Sequence, residues 1–192
     1  LDAREPQQAS ELLHAAQHYP ENLSEGRLPG QTDNDIWFWQ AICANAQGDE
    51  TEAMRCLRLA ATGDRTINIH SYYNDQPVDY LFWQGMALRL LGEQQTAQQL
   101  FSEMKQWAQE MAKTSIEADF FAVSQPDLLS LYGDLQQQHK EKCLMVAMLA
   151  AAGLGEVAHY ESARAELMAI NPAWPKAALF TTVMPFIFYY VH

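Results

Sequence analysis

Three times along this chain an apolar run halts at a glycine followed at once by an acidic residue, and a second periodic run begins: Gly48-Asp49, Gly92-Glu93 and Gly155-Glu156. Glycine tolerates the left-handed backbone just past a helix end. A carboxylate after it suits the next helix N-terminus, where unpaired N–H groups favour negative charge. The pattern predicts helical hairpins joined in series. Side-chain size agrees: Trp37, Ala41 and Ala44 precede the first turn and Ala53, Leu57 and Ala60 follow it, while Leu81, Gly85 and Leu88 precede the second and Ala97, Phe101 and Met104 follow. The two sets superpose when Gly48 is aligned with Gly92, and alternating small and large residues let helices interlock. A second stripe, Ile36, Trp39, Cys43 and Ala46, makes the first helix apolar on two sides, as for a helix sandwiched between neighbours. The expectation is an all-α chain, a right-handed stack of helical hairpins with one concave face and about eight or nine helices.

At these residues the chain resembles the tetratricopeptide repeat family. The second hairpin matches the family pattern through Gly85, Gly92, Ala97 and Phe101, and the first through Trp37, Ala41, Gly48, Ala53 and Ala60. The third is divergent. Gly155 and Pro172 have the family separation, but Tyr160 stands where the family usually has alanine, and a three-residue slip to Ala163 would shorten the second helix. The repeat length departs too: 44 residues separate Gly48 from Gly92 and 63 separate Gly92 from Gly155, against about 34 in the family. The excess falls in segments 63–77 and 115–138. A narrower resemblance rests on Tyr19-Pro20-Glu21-Asn22-Leu23, Leu28-Pro29-Gly30, Asp33-Asn34-Asp35-Ile36-Trp37, Tyr72-Tyr73-Asn74-Asp75 and Phe121-Ala122-Val123-Ser124-Gln125-Pro126-Asp127. These look like the helical tail of bacterial proteins that carry an uncharacterised mutarotase-like β-sandwich domain. It implies a carbohydrate link for the parent protein and no defined activity for this tail.

The helix at 5–18, with Ala9, Leu12, Leu13 and Ala16 on one face, resembles the second helix of a hairpin with no first helix before it. The expectation is a C-terminal piece of a longer protein. Residues 1–176 are expected to form the repeat domain and 177–192 an apolar tail. That tail, rich in Phe180, Val183, Met184, Phe186, Ile187 and Phe188, would cap the stack, pair with a second copy, or be an end with no designed role.

Charge and cysteine usage narrow the function classes. The net charge of −12, from 12 basic and 24 acidic residues, opposes a phosphate backbone or an anionic bilayer, so neither nucleic acid nor a membrane is expected as a partner. Cys43, Cys56 and Cys143 form no C-x-x-C pair, which fits reduced thiols and a cytoplasmic setting. No uncharged apolar stretch reaches the about 18 residues needed to span a bilayer.

No phosphate loop, G-x-S-x-G or H-E-x-x-H occurs, so no enzyme activity, catalytic residue or cofactor is expected. His14 with His18, and His139 with Cys143, have the four-residue spacing of zinc ligands but lack a third local ligand, and no metal is expected. Three irregular segments mix aromatics with carboxylates: Glu21 to Asp35, His70 to Asp79, and Asp119 to Asp127. Read simply, they are turns and helix N-termini, with Asp33 or Asp35 capping the helix through Trp37, and with Asp79 and Asp127 in first turns after Pro77 and Pro126. Read functionally, they line a binding face. The candidate partner-binding residues are Trp39, Tyr73, Asp75, Asp79, Trp83 and Asp127. The expectation is a non-catalytic assembly scaffold that binds a protein or peptide, with self-association through the tail also open. The alternative is a carbohydrate-handling accessory domain, which requires the three segments to converge.

Overall fold

A computed structural model describes residues 5–19, 22, 32–67, 76–117, 134–174 and 176–190. Among them are eight helices and no strand: α1 (Pro6–Ala16), α2 (Asn34–Ala46), α3 (Glu50–Ala60), α4 (Tyr80–Leu90), α5 (Gln94–Met111), α6 (Leu135–Leu154), α7 (Val157–Ile170) and α8 (Ala177–Tyr190). The chain is all-α, as its periodicity predicts. It forms two compact units, one holding α1–α4 with the first turn of α5 as far as Ala97, the other the rest of α5 with α6–α8.

All three glycine turns are built alike. Gly48, Gly92 and Gly155 take φ of 79°, 85° and 75°. In each, the following acidic residue sends its N–H back to the carbonyl five residues earlier: Asp49 to Ala44 at 3.0 Å, Glu93 to Leu88 at 2.9 Å and Glu156 to Ala151 at 2.9 Å. The glycine N–H bonds the carbonyl three residues back, on Asn45, Arg89 and Ala152. This pair of hydrogen bonds closes an α-helix on a left-handed residue and satisfies two of its terminal carbonyls. The next helix is entered identically, with Ala53, Ala97 and Tyr160 donating to the carbonyls of Asp49, Glu93 and Glu156.

In the first unit α2 packs against α1, α3 and α4, and α3 also packs on α4. The core is aromatic. Phe38 and Trp39 of α2 meet Trp83 of α4 at ring separations of 5.2 and 5.6 Å, and Phe82 stands edge-on to Trp83 at 5.1 Å. Of the predicted first stripe of α2, Ala41 and Ala44 are buried, but Trp37 is only half-buried and Phe38, its neighbour, is fully enclosed. Trp37 lies instead under the guanidinium of Arg55, 5.2 Å from its ring. Helix α1 buries no residue completely, and Leu12 on its apolar face is 67% exposed.

In the second unit α6 packs against α7 and α8. Phe101 of α5 lies on Gly153 of α6 so closely that a Cβ there would overlap its ring. Tyr160, the residue out of pattern, is buried in α7 and meets Phe188 of α8 edge-on at 5.5 Å. A large ring fits at a position occupied elsewhere by alanine because α8 supplies its far wall. Trp174 stacks on Phe180 at 5.7 Å, and Phe180, Val183, Met184 and Ile187 are buried. The tail 177–190 is thus a helix packed within its own unit. No helix among the described residues is long and apolar enough to cross a membrane.

Candidate functional site

Three buried polar residues of the first unit, Asp33, Asn34 and Asp79, stand at the entry ends of α2 and α4, and Gln40, Gln84 and Arg89 lie further along the same helices. Asn34, the first residue of α2, is fully enclosed. Its Nδ2 donates to the carbonyls of Ala60 and Thr62, each at 2.7 Å, where α3 has run out and those carbonyls lack helical partners. Its Oδ1 accepts from Gln76 Nε2 at 2.9 Å and from the hydroxyl of Thr32. From α4, Gln84 donates through Nε2 to the carbonyl of Asp64 at 3.3 Å. Gly63 makes room for this, with φ of 116° and the amide groups of Gln76 and Gln84 against its Cα.

Two of the three irregular segments therefore meet: Asn34 of one is bonded to Gln76 of the next. Asp33 and Asp79 are each 5% exposed at the N-cap positions of α2 and α4, and neither side chain caps its helix. Asp33 holds a left-handed backbone at φ 48°. Both residues stand where capping chemistry puts them, without a side-chain bond to the first turn.

The candidate partner-binding residues differ in exposure. Trp83 is 1% exposed and Trp39 8%, and the two rings pack against each other at 5.6 Å. Asp79 is buried as well. Tyr73, Asp75 and Asp127 lie outside the described residues, as does the third irregular segment.

What residue-by-residue reading missed is a tripeptide. Phe-Trp-Gln occurs at 38–40 and again at 82–84, and in both copies the glutamine stands eight residues before the turn glycine. The aromatic pairs of the two copies are the rings that pack α2 on α4. Gln40 and Gln84 are 4% and 0% exposed, and each leaves one amide atom enclosed without a hydrogen-bond partner: Nε2 of Gln40 and Oε1 of Gln84. A 44-residue comparison of identities, rather than of residue size, would have found them.

The titratable groups have structural duties. Burial raises the thiols of Cys43 and Cys143, and burial beside the Glu52 carboxylate pushes Cys56 up to about 12, so all three stay protonated near neutrality. All three are free and buried. His18 Nδ1 donates to the His14 carbonyl at 2.9 Å, and His139 Nε2 to that of Met111 at 2.8 Å, so one ring from each four-residue pair bonds a carbonyl at a helix end. Among the described residues no group of three or more His, Cys, Asp or Glu is placed to hold a metal ion. In the second unit Lys105 grips both oxygens of Glu156 at 2.7 Å, and His159 Nδ1 lies 2.9 Å from one of them. The Lys105 ammonium, and then His159, hold the Glu156 carboxyl below its ordinary value against the opposing effect of burial.

Against known proteins, no family model matches the chain and no significant match is found among solved structures.

Proposed function

We propose that this chain is a non-catalytic binding scaffold of tetratricopeptide type that receives a protein or peptide partner. The observation that supports it is the turn at Gly48, Gly92 and Gly155, built three times with the same left-handed glycine and the same pair of return hydrogen bonds. A chain that repeats one hairpin device spends its sequence on presenting helices side by side, and peptides bind helical repeats along the surfaces so formed. A peptide-display selection on the full chain tests it. Enrichment of one sequence class that binds at one-to-one stoichiometry is the expected result. Enrichment no greater than on an unrelated helical protein of similar charge would remove the proposal.

A second reading, a carbohydrate-handling accessory domain, is favoured by one observation. The Asn34–Gln76 bond joins two of the segments whose convergence that reading requires. It predicts a sugar-dependent shift of the Gln76 and Gln84 side-chain signals, and their constancy across a panel of free hexoses would exclude it at this node.

A further inference from the structure

Helix α1 has two sides that differ in what covers them. Pro6, Ala9, Ser10, Leu13 and Gln17 share one side at helical spacing, and all five are half-buried, as befits the side turned to α2. Glu5, Gln8, Leu12, Ala15, Ala16 and Tyr19 fall within about 100° of one another on another side, and every one is exposed. Leu12 is 67% exposed and Tyr19 41%. The helical turn carries on past Ala16 as far as His18, whose N–H bonds the Ala15 carbonyl at 3.1 Å, so the stripe runs the length of the element. Positions 5, 8, 12, 15 and 19 are spaced three, four, three and four, the seam of a helix that packs along another helix. An 11-residue helix with no completely buried residue gains little from its own unit, and short helices owe their stability to such burial.

We propose that this open stripe docks on the same stripe of a second copy of the chain, with the two α1 helices antiparallel. Size and charge both fit that occupant. In the antiparallel register that sets Leu12 of one copy on Ala15 of the other, Ala15 in turn receives the other Leu12 and Gln8 lies opposite Tyr19, so each large side chain meets a smaller one and the helices approach closely. The same register brings the flanking Glu11 of each copy beside His18 of the other, because both flank the stripe on one side. The exposed carboxylates of α1, Glu5 and Glu11, lie in its first half, and no acidic residue stands between Leu12 and Tyr19. Antiparallel pairing therefore keeps acid away from acid, whereas parallel pairing would stack Glu11 on Glu11 in a chain that already carries −12. The inference goes beyond the scaffold reading: it concerns a face for a like chain and holds whatever peptide the scaffold receives.

Sedimentation equilibrium of the full chain tests it, from about 10 μM to about 1 mM, because one pair of three-turn helices meets over less than the about 1,200 Å² of a stable specific interface. A reversible monomer–dimer equilibrium is expected. Leu12→Ser, at an exposed position, is expected to raise the dissociation constant about tenfold or more with the thermal unfolding temperature unchanged. Met54→Ser, which trims an exposed apolar side chain of α3 outside the stripe, is expected to leave the constant where it was. His18→Glu sets a carboxylate beside Glu11 of the other copy and is expected to weaken the dimer, and adding Glu11→Lys is expected to restore it. A chain that stays monomeric throughout overturns the proposal, as does a dimer indifferent to Leu12→Ser or equally weakened by Met54→Ser. A charge swap that fails to restore association overturns the antiparallel register. Failure of the scaffold reading shows elsewhere, in the display selection, since these masses report α1 alone.

Discussion

At the scale of single residues, Asn34 ties the start of α2 to the chain leaving α3. It closes two carbonyls beyond the end of α3 while being wholly buried. Asn34→Leu strips both of their donor, and a buried acceptor left unpaired costs about 1–3 kcal/mol. The expected loss is about 2–4 kcal/mol in urea unfolding, and a loss under about 0.5 kcal/mol would show the bonds to be dispensable. The sequence made Asp33 and Asp35 visible as capping residues and passed over the asparagine between them, because propensity describes a side chain's bond to its own helix and is silent about the end of another. Glu156 makes a pH-dependent contribution. Its carboxyl is depressed by Lys105, so the stabilisation is present above the ordinary carboxylate value and is lost as pH falls through the lower folded value. The pair is partly exposed, with 31% of each side chain open, so Glu156→Gln is expected to cost only about 0.2–1 kcal/mol at neutral pH. That difference should vanish in strong acid. A penalty that persists there would assign Glu156 a role other than charge.

At the scale of elements, the helices and their glycine turns were legible because one physical requirement, a left-handed residue after the last turn, admits few side chains. The equivalence of the turns carries a quantitative expectation. A Cβ on Gly48 or Gly92 meets nothing within 4 Å, so Gly48→Ala and Gly92→Ala suffer backbone strain alone, about 1–2 kcal/mol each and equal within error. Gly63→Ala adds a collision with Gln76 and Gln84 to a φ of 116°, and should exceed both by about 1–3 kcal/mol. Thermal unfolding of the three variants side by side decides it, and a Gly63→Ala as mild as the other two would mean that the amide node yields freely. Less was legible in the packing of α2 on α4. Helical spacing put Trp37 and Trp39 on two inward stripes and passed over Phe38, whereas the structure buries Phe38 and Trp39 and leaves Trp37 half-buried beside Arg55. A helix apolar on two sides leaves its rotation undetermined, and only the neighbouring helix fixes it. The repeated Phe-Trp-Gln carried that information, since the same three residues recur where the same contact is made. The candidate site suffered from the same ambiguity: an aromatic beside a carboxylate reads alike whether it faces a ligand or a core, and Trp83 faces the core.

At the scale of the whole chain, residues 177–192 separate a folding role from an assembling one. An apolar run this dense asks to be covered, and composition alone leaves open whether by its own chain or by a second copy. The structure places Phe180, Val183, Met184 and Ile187 of α8 inside the second unit, with Trp174 stacked on Phe180 and Phe188 closing on Tyr160. Four apolar side chains of the tail are therefore covered within the unit, and among the described side chains of α8 Leu179, at 41% exposure, is a large apolar residue left open. Removing residues 177–192 then uncovers core rather than an interface. The expected outcome is a lower unfolding temperature and strong binding of a hydrophobic dye, because deleting four buried apolar side chains forfeits about 1.5–3 kcal/mol apiece in transfer free energy. Light scattering on the intact chain completes the argument. A mass unchanged across a wide dilution series, with the truncated chain tending to aggregate, fits a helix that seals its own unit. An intact dimer that becomes a well-folded monomer on truncation, with no loss of thermal stability, would instead make α8 an assembly element and overturn its assignment to the core.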